Sequence, residues 1–166
     1  MMQDILSEII AHKKIEVARQ KEETPFSLLE KRILKETTPF YSLEAALEQS
    51  TTGIIADFKR RSPSKGWINR TAEVIPVAKA YEAAGAAAVS VLTDEPYFGG
   101  TLADLRAATK CVSIPVMRKE FIVDEYQIYD AKISGASAIL LIAAAITKEE
   151  SQRFTELAGQ LQLEVL

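Results

Sequence analysis

The chain holds a single cysteine, Cys111, and a single histidine, His12. One thiol rules out an intrachain disulfide and is compatible with a reducing compartment. One Cys and one His also leave no basis for a Cys/His metal cluster. No apolar run approaches the ~20 residues that a membrane-spanning helix requires. The N-terminal stretch MMQDILSEIIAHKKIEVARQK is amphipathic but carries acids early, unlike a signal peptide, so a cytoplasmic location is expected. A basic excess is missing too: 20 Lys and Arg stand against 23 Asp and Glu, a net charge of −3, which argues against nucleic acid as a partner. Neither GxGxxG nor GxxxxGKS/T follows any predicted strand, which weakens a nucleotide-binding, doubly wound reading.

What remains is a globular composition, 48% hydrophobic and 26% charged over 166 residues, enough for a real core. Residues 4–21 put Ile5, Leu6, Ile9, Ile10 and Val17 near one helical face, which predicts a helix packed on something larger. A membrane-surface role is the alternative, but the polar face mixes both signs of charge. Short helices are predicted over Ser27–Leu34 and, capped by Ser42, over Leu43–Glu48. From Gly53 the pattern becomes regular. Predicted strands at 54–58, 87–92, 116–119, 138–142 and from 163 alternate with helices that open near Pro76, Thr101, Asp124 and Thr147. Thr101 and Thr147 each have an acid three residues on, Asp104 and Glu150, the pattern of a capping box. The strands are short and nearly all apolar, as parallel strands buried on both faces are. Gly85-Ala86-Ala87-Ala88-Val89 recurs as Gly135-Ala136-Ser137-Ala138-Ile139, a repeated βα unit of either a doubly wound sheet or a barrel.

The strand ends carry the chemistry. The first, GIIADFKRRSPSKG at 53–66, passes from Ile54-Ile55-Ala56 straight into Lys59, Arg60, Arg61, Ser62, Pro63, Ser64, Lys65 and Gly66. Hydroxyls, loop N–H groups and cations at the carboxyl end of a strand suit a phosphate. The same run also reads as a solvated basic loop. The second strand ends in Thr93-Asp94, then Tyr97-Phe98-Gly99-Gly100; the third ends in Arg118-Lys119-Glu120-Phe121. In a barrel these ends share one mouth. Two lysines beside carboxylates and aromatics fit acid catalysis and anion binding. Structural ion pairs at strand ends are the alternative.

Four segments in this order carry a resemblance: GIIADFKRRSPSKG at 53–66, AYEAAGAAAVSVLTDEPYFGGTLADL at 80–105, IPVMRKEFIVDEYQI at 114–128 and GASAILLIAAAI at 135–146. Together they resemble the indole-3-glycerol phosphate synthase family, and the N-terminal helix is similar to that family's extension before the first strand. The resemblance implies an α/β fold of the (β/α)8 TIM-barrel type. Residues 1–52 would form a helical extension, and residues 53–166 the first four βα units and the start of strand five. It implies action on a phosphorylated small molecule, 1-(2-carboxyphenylamino)-1-deoxyribulose 5-phosphate, whose ring closes onto the ribulose carbonyl before carbon dioxide and water leave. No metal or cofactor is implied. By motif position, Lys119 is the general acid. Lys59 is the second lysine, near the substrate carboxylate or assisting dehydration, and Asp57 is the strand-one acid. Ser62 contacts phosphate, and Phe98, Phe121 and Leu140 wall the pocket for the aromatic ring.

The chain departs from that pattern in three ways. Asp57 stands where the family usually has Glu, and Glu120 where it usually has Asp. A barrel of this type needs about 250 residues, so the sequence is expected to be a truncated piece, with the general-base glutamate just past Leu166. The open sheet edges would then favour self-association. Two other readings remain: a non-catalytic half-barrel that binds phosphate weakly, and another phosphate-binding barrel enzyme such as the phosphoribosylanthranilate isomerase. KRRSPSKG and KEF argue against the latter.

Overall fold

The computed structural model describes residues 4–35 and 38–166. In chain order its elements are α1 (Ile5–Glu23), α2 (Phe26–Ile33), α3 (Leu43–Gln49), β1 (Ile55–Phe58), β2 (Arg61–Ser62), β3 (Gly66–Trp67) and α4 (Val74–Ala83). There follow β4 (Ala88–Leu92), α5 (Glu95–Phe98), α6 (Leu102–Cys111), β5 (Val116–Lys119), α7 (Glu125–Ile133), β6 (Ala138–Ile139), α8 (Lys148–Gln160) and β7 (Glu164–Val165).

Five strands form one parallel sheet in the order β1-β4-β5-β6-β7, so each new strand joins beside its predecessor. A doubly wound sheet would reverse direction at a switch point; this one does not. The crossover helices all cover the same face. Val74 and Ala78 of α4, Leu105 and Ala108 of α6, Ile128 and Ala131 of α7, and Phe154 and Ala158 of α8 share one buried cluster with Phe58, Val89, Val91, Val116 and Ile139. Helices on one face and strands in sequence order make consecutive βα units of a barrel.

Strand side chains alternate between faces, so the residues between those core positions face the inside of the barrel. Ala88, Met117 and Ala138 form a second cluster there, with Ile55 packed against it. Leu43 and Leu47 of α3 close this layer from below. Glu164 of β7 pairs with Ala138 and pins α3 in place. Its carboxylate accepts from Ser42 Oγ at 2.6 Å and from the backbone N–H groups of Leu43 and Glu44 at 2.5 and 3.1 Å. An anion at a helix N-terminus satisfies donors that have no partner within the helix. Glu164→Ala is expected to destabilise the chain by about 1–2 kcal/mol, read as a lower urea midpoint with unchanged slope.

The capping predictions hold. Thr101 with Asp104, and Thr147 with Glu150, form reciprocal capping boxes; Asp124 with Gln127 forms a third. Ser42 accepts from Ala45 N as the cap of α3. Gly85 and Gly135 take φ of +87° and +81° just past α4 and α7, a left-handed turn that spares a Cβ clash before each following strand.

Several boundaries differ from the sequence-based expectation. The first strand is not buried on both faces: β1 is an edge strand, and Ile54 lies just outside it at 54% exposure. Helix α4 opens at Val74, with Pro76 inside its first turn, where a missing N–H costs no helical bond. Helix α2 starts at Phe26, one residue before the expected Ser27. The pairing of β6 with β5 stops at Arg118↔Ile139, so the expected strand 138–142 is shorter on that side, while Leu141 N still donates to Leu166 O at 2.9 Å. The loop after β1 contains a small antiparallel hairpin, β2–β3, and the loop after β4 contains the one-turn helix α5. On α1 the buried line is Ile9, Lys13 and Val17, while Ile5 is exposed.

Candidate active site

The parity that fills the lower layer also sets the layer above it. Asp57 pairs in register with Ser90, and Leu92 with Lys119, so Asp57, Ser90 and Lys119 share the inner face near the carboxyl ends of their strands. The three side chains meet. Asp57 Oδ1 accepts from Ser90 Oγ at 2.5 Å and from Lys119 Nζ at 3.2 Å. Asp57 Oδ2 accepts from Lys59 Nζ at 2.5 Å. Two ammonium groups, of Lys119 in β5 and of Lys59 just past β1, therefore bond one carboxylate. Lys119 remains 38% exposed and Lys59 33%, so both can reach a ligand.

Burial alone would raise the Asp57 carboxyl. Hydrogen bonds from Lys59 and Ser90, with the charges of Lys119 and Lys59, outweigh it and hold the group below its ordinary value of 3.8. A depressed folded-state pKa contributes stability that is present above the unfolded value and lost as pH falls through the folded one. Asp57→Asn is therefore expected to lower the unfolding free energy at pH 7. The gap to the parent chain should close as pH drops below about 4, measured by urea denaturation at pH 7 and pH 2.5. A gap that stays constant across that range would contradict the assignment.

Two aromatic rings from the loops after β4 and β5 pair with each other. Phe98, at the end of α5, and Phe121, two residues after Lys119, lie with centroids 5.9 Å apart and planes tilted by 36°. Both are half-buried. Leu140, also half-buried, is the first residue past β6.

The basic loop is less free than its charge suggests. Arg60 grips Asp104 with two 2.7 Å bonds and donates to the carbonyls of Gly99 and Ala72 at 2.8 and 2.9 Å. Burial raises the Asp104 carboxyl, but Arg60 and Thr101 more than offset that and hold it down. Arg61 and Arg70 both lie over the Trp67 ring, 5.2 and 4.6 Å from its centroid. Ser62 is buried, its Oγ accepting from Lys65 N at 3.3 Å, with Ser64 Oγ 3.4 Å away. Ser62 to Lys65 thus form the hydroxyl-rich turn of the β2–β3 hairpin, while the arginines serve the protein.

Two acids expected at the mouth are turned away from it. Glu120 does not pair with Lys119. It is buried, with Oε2 accepting from Thr93 Oγ1 at 2.7 Å and Oε1 from Phe121 N at 2.9 Å. Asp94 is fully buried and caps α5 through Tyr97 N at 2.8 Å. The cation between them is Lys13 of α1, 2.9 Å from Asp94 Oδ2, 3.3 Å from Glu120 Oε1 and 2.9 Å from Glu16. Burial pulls the Lys13 pKa down, but Glu120, Asp94 and Glu16 together lift it above its ordinary value, so it stays an ammonium. The sequence did contain a signal for it: a lysine four residues from both Ile9 and Val17, in the middle of the apolar face. Ser90 was missed because its role depends on register with Asp57.

The chain matches the family described as indole-3-glycerol phosphate synthase over residues 6–166. It is 53% identical over 165 residues to a protein of Bacteroides thetaiotaomicron named indole-3-glycerol phosphate synthase, covering 99% of this chain and 63% of that one. To proteins of the same name from Neisseria meningitidis serogroup B and Syntrophobacter fumaroxidans it is 44% and 41% identical, covering 65% and 63% of their lengths. The chain thus spans somewhat less than two thirds of these relatives. A match of this extent shows that the chain belongs to the indole-3-glycerol phosphate synthase family.

Proposed function

We propose that the intact protein is a carbon–carbon lyase that makes indole-3-glycerol phosphate from 1-(2-carboxyphenylamino)-1-deoxyribulose 5-phosphate, a step of tryptophan biosynthesis. The observation that carries the proposal is the meeting of Lys59 and Lys119 on Asp57. Lys119 donates a proton to the ribulose carbonyl oxygen as the ring carbon attacks. Asp57 holds that ammonium in place between turnovers. Lys59 faces the substrate carboxylate and later assists loss of the hydroxyl as water. Phe98, Phe121 and Leu140 give the aromatic ring an apolar wall. Ser62 and the turn after it receive the phosphate through hydroxyl and backbone donors. Among the described residues no helix is long and apolar enough to cross a membrane; the reaction is assigned to the cytoplasm.

The test is a titration of this chain with the substrate, followed by backbone and side-chain resonances. Signals of Ser62 to Lys65, Lys59 and Lys119 should move together, and inorganic phosphate should move the Ser62–Lys65 set alone. Movement confined to other parts of the chain would overturn the assignment. Both edge strands, β1 and β7, leave ladder groups open, with Ile54, Val165 and Leu166 exposed beside them. Self-association of the 166-residue chain is therefore also proposed. Sedimentation should show dimers or larger species at high concentration, and a clean monomer would contradict it.

A further inference from the structure

The ionic cluster beneath the mouth joins three distant parts of the chain. Lys13 comes from α1, Asp94 follows β4, and Glu120 follows β5. Lys13 also pairs with Glu16 on its own helix, but its two contacts outside α1, to Asp94 and Glu120, end close to residues assigned to the substrate. Asp94 accepts from Tyr97 N through Oδ1, and its carbonyl accepts from Phe98 N at 3.2 Å, so it sets the turn that carries Phe98. Glu120 is the residue after Lys119, and its Oε1 also takes the N–H of Phe121. The carboxylate of Glu120 is held at both oxygens: Oε1 by Lys13 and Phe121 N, Oε2 by Thr93 Oγ1, with Arg118 at 3.6 Å. Such a group has no freedom to rotate and passes the position of its partners to the backbone.

We propose that Lys13 is a positioning residue. Through Asp94 and Glu120 it fixes where Lys119, Phe121 and Phe98 stand relative to one another, and so ties α1 to the site. This deepens the functional reading above and rests on it for the catalytic consequence. Neutralising buried charge is not the whole of its role. Glu120 already has Arg118 nearby, yet Lys13 lies within ion-pair distance of both it and Asp94, bridging the loops after β4 and β5.

Three variants test this: Lys13→Met, Lys13→Arg, and the charge-balanced Lys13→Met/Asp94→Asn. Asparagine still caps a helix, so the double variant folds if the single one does not. In the 166-residue chain, below each variant's melting transition, the Lys119 ε-methylene and the Phe98 and Phe121 ring resonances are recorded. They should move in the Met variants and move less in Lys13→Arg, which keeps the cation. A purely structural lysine would lower the melting temperature and leave those resonances where they are, which would overturn the proposal. In a chain of the relatives' full length, kcat per folded molecule should fall on the order of ten- to a hundredfold. An unaltered kcat would also overturn it. If the unmutated chain of that length shows no turnover, the catalytic reading fails, and the resonance shifts still decide the placement.

Discussion

Lys119→Ala, made in a chain of the relatives' full length, is expected to lower kcat for indole formation about 10²–10⁴-fold, the usual contribution of a positioned general acid. The fold should survive. The ammonium is partly exposed on the inner face, and its partner Asp57 keeps bonds from Lys59 and Ser90 when Lys119 is gone. An exposed pair of this kind contributes little to stability, roughly 0–1 kcal/mol. Loss of rate and retention of structure are therefore separable: circular dichroism and melting should match the parent chain while product absorbance fails to develop. Lys59→Ala should show the complementary pattern. It removes the closer of the two lysines on Asp57 and the group assigned under the proposed function to the substrate carboxylate, so KM should rise along with any fall in kcat. Turnover of Lys119→Ala at the parent rate would end the assignment of the acid.

Lys13→Met is expected to have the largest effect on stability. Asp94 and Glu120 are buried, and deleting their shared cation leaves buried charge uncompensated, at a cost of about 3–5 kcal/mol. For a domain of this size that corresponds to a fall in Tm of roughly 6–20 °C, taking about 2–4 °C per kcal/mol. The direction follows from the asymmetry of buried ion pairs: breaking one is costly, whereas replacing both members by neutral groups is often nearly neutral. Lys13→Met/Asp94→Asn should accordingly recover part of the loss. Thermal melts of the single and double variants, compared as a cycle, check this; a single variant as stable as the parent would show that the cluster is not held by the lysine.

Much of the fold was legible in the chain. Short apolar strands alternating with capped helices predicted parallel βα units, because period-two and helical patterns are local and set by residues within a turn or two of each other. The motif order supplied the family. The register of β1 against β4 was not legible, and with it the role of Ser90. The hairpin β2–β3 and the helix α5 were hidden for a similar reason: each is only a few residues long and is stabilised by contacts such as Arg60 N to Phe98 O, which no local pattern reports.

The sequence by itself determined which residues carry charge at the strand ends, and that in a barrel those ends share one mouth. Only the tertiary structure decided which of those charges face the mouth. Arg60 is bound to Asp104, 44 positions away, and Glu120 to Lys13, more than 100 positions away. Such partners are chosen by desolvation: when helices close over a strand end, each buried charge must find an opposite one nearby. The lysines left without a fully buried partner are the ones that remain available for a ligand.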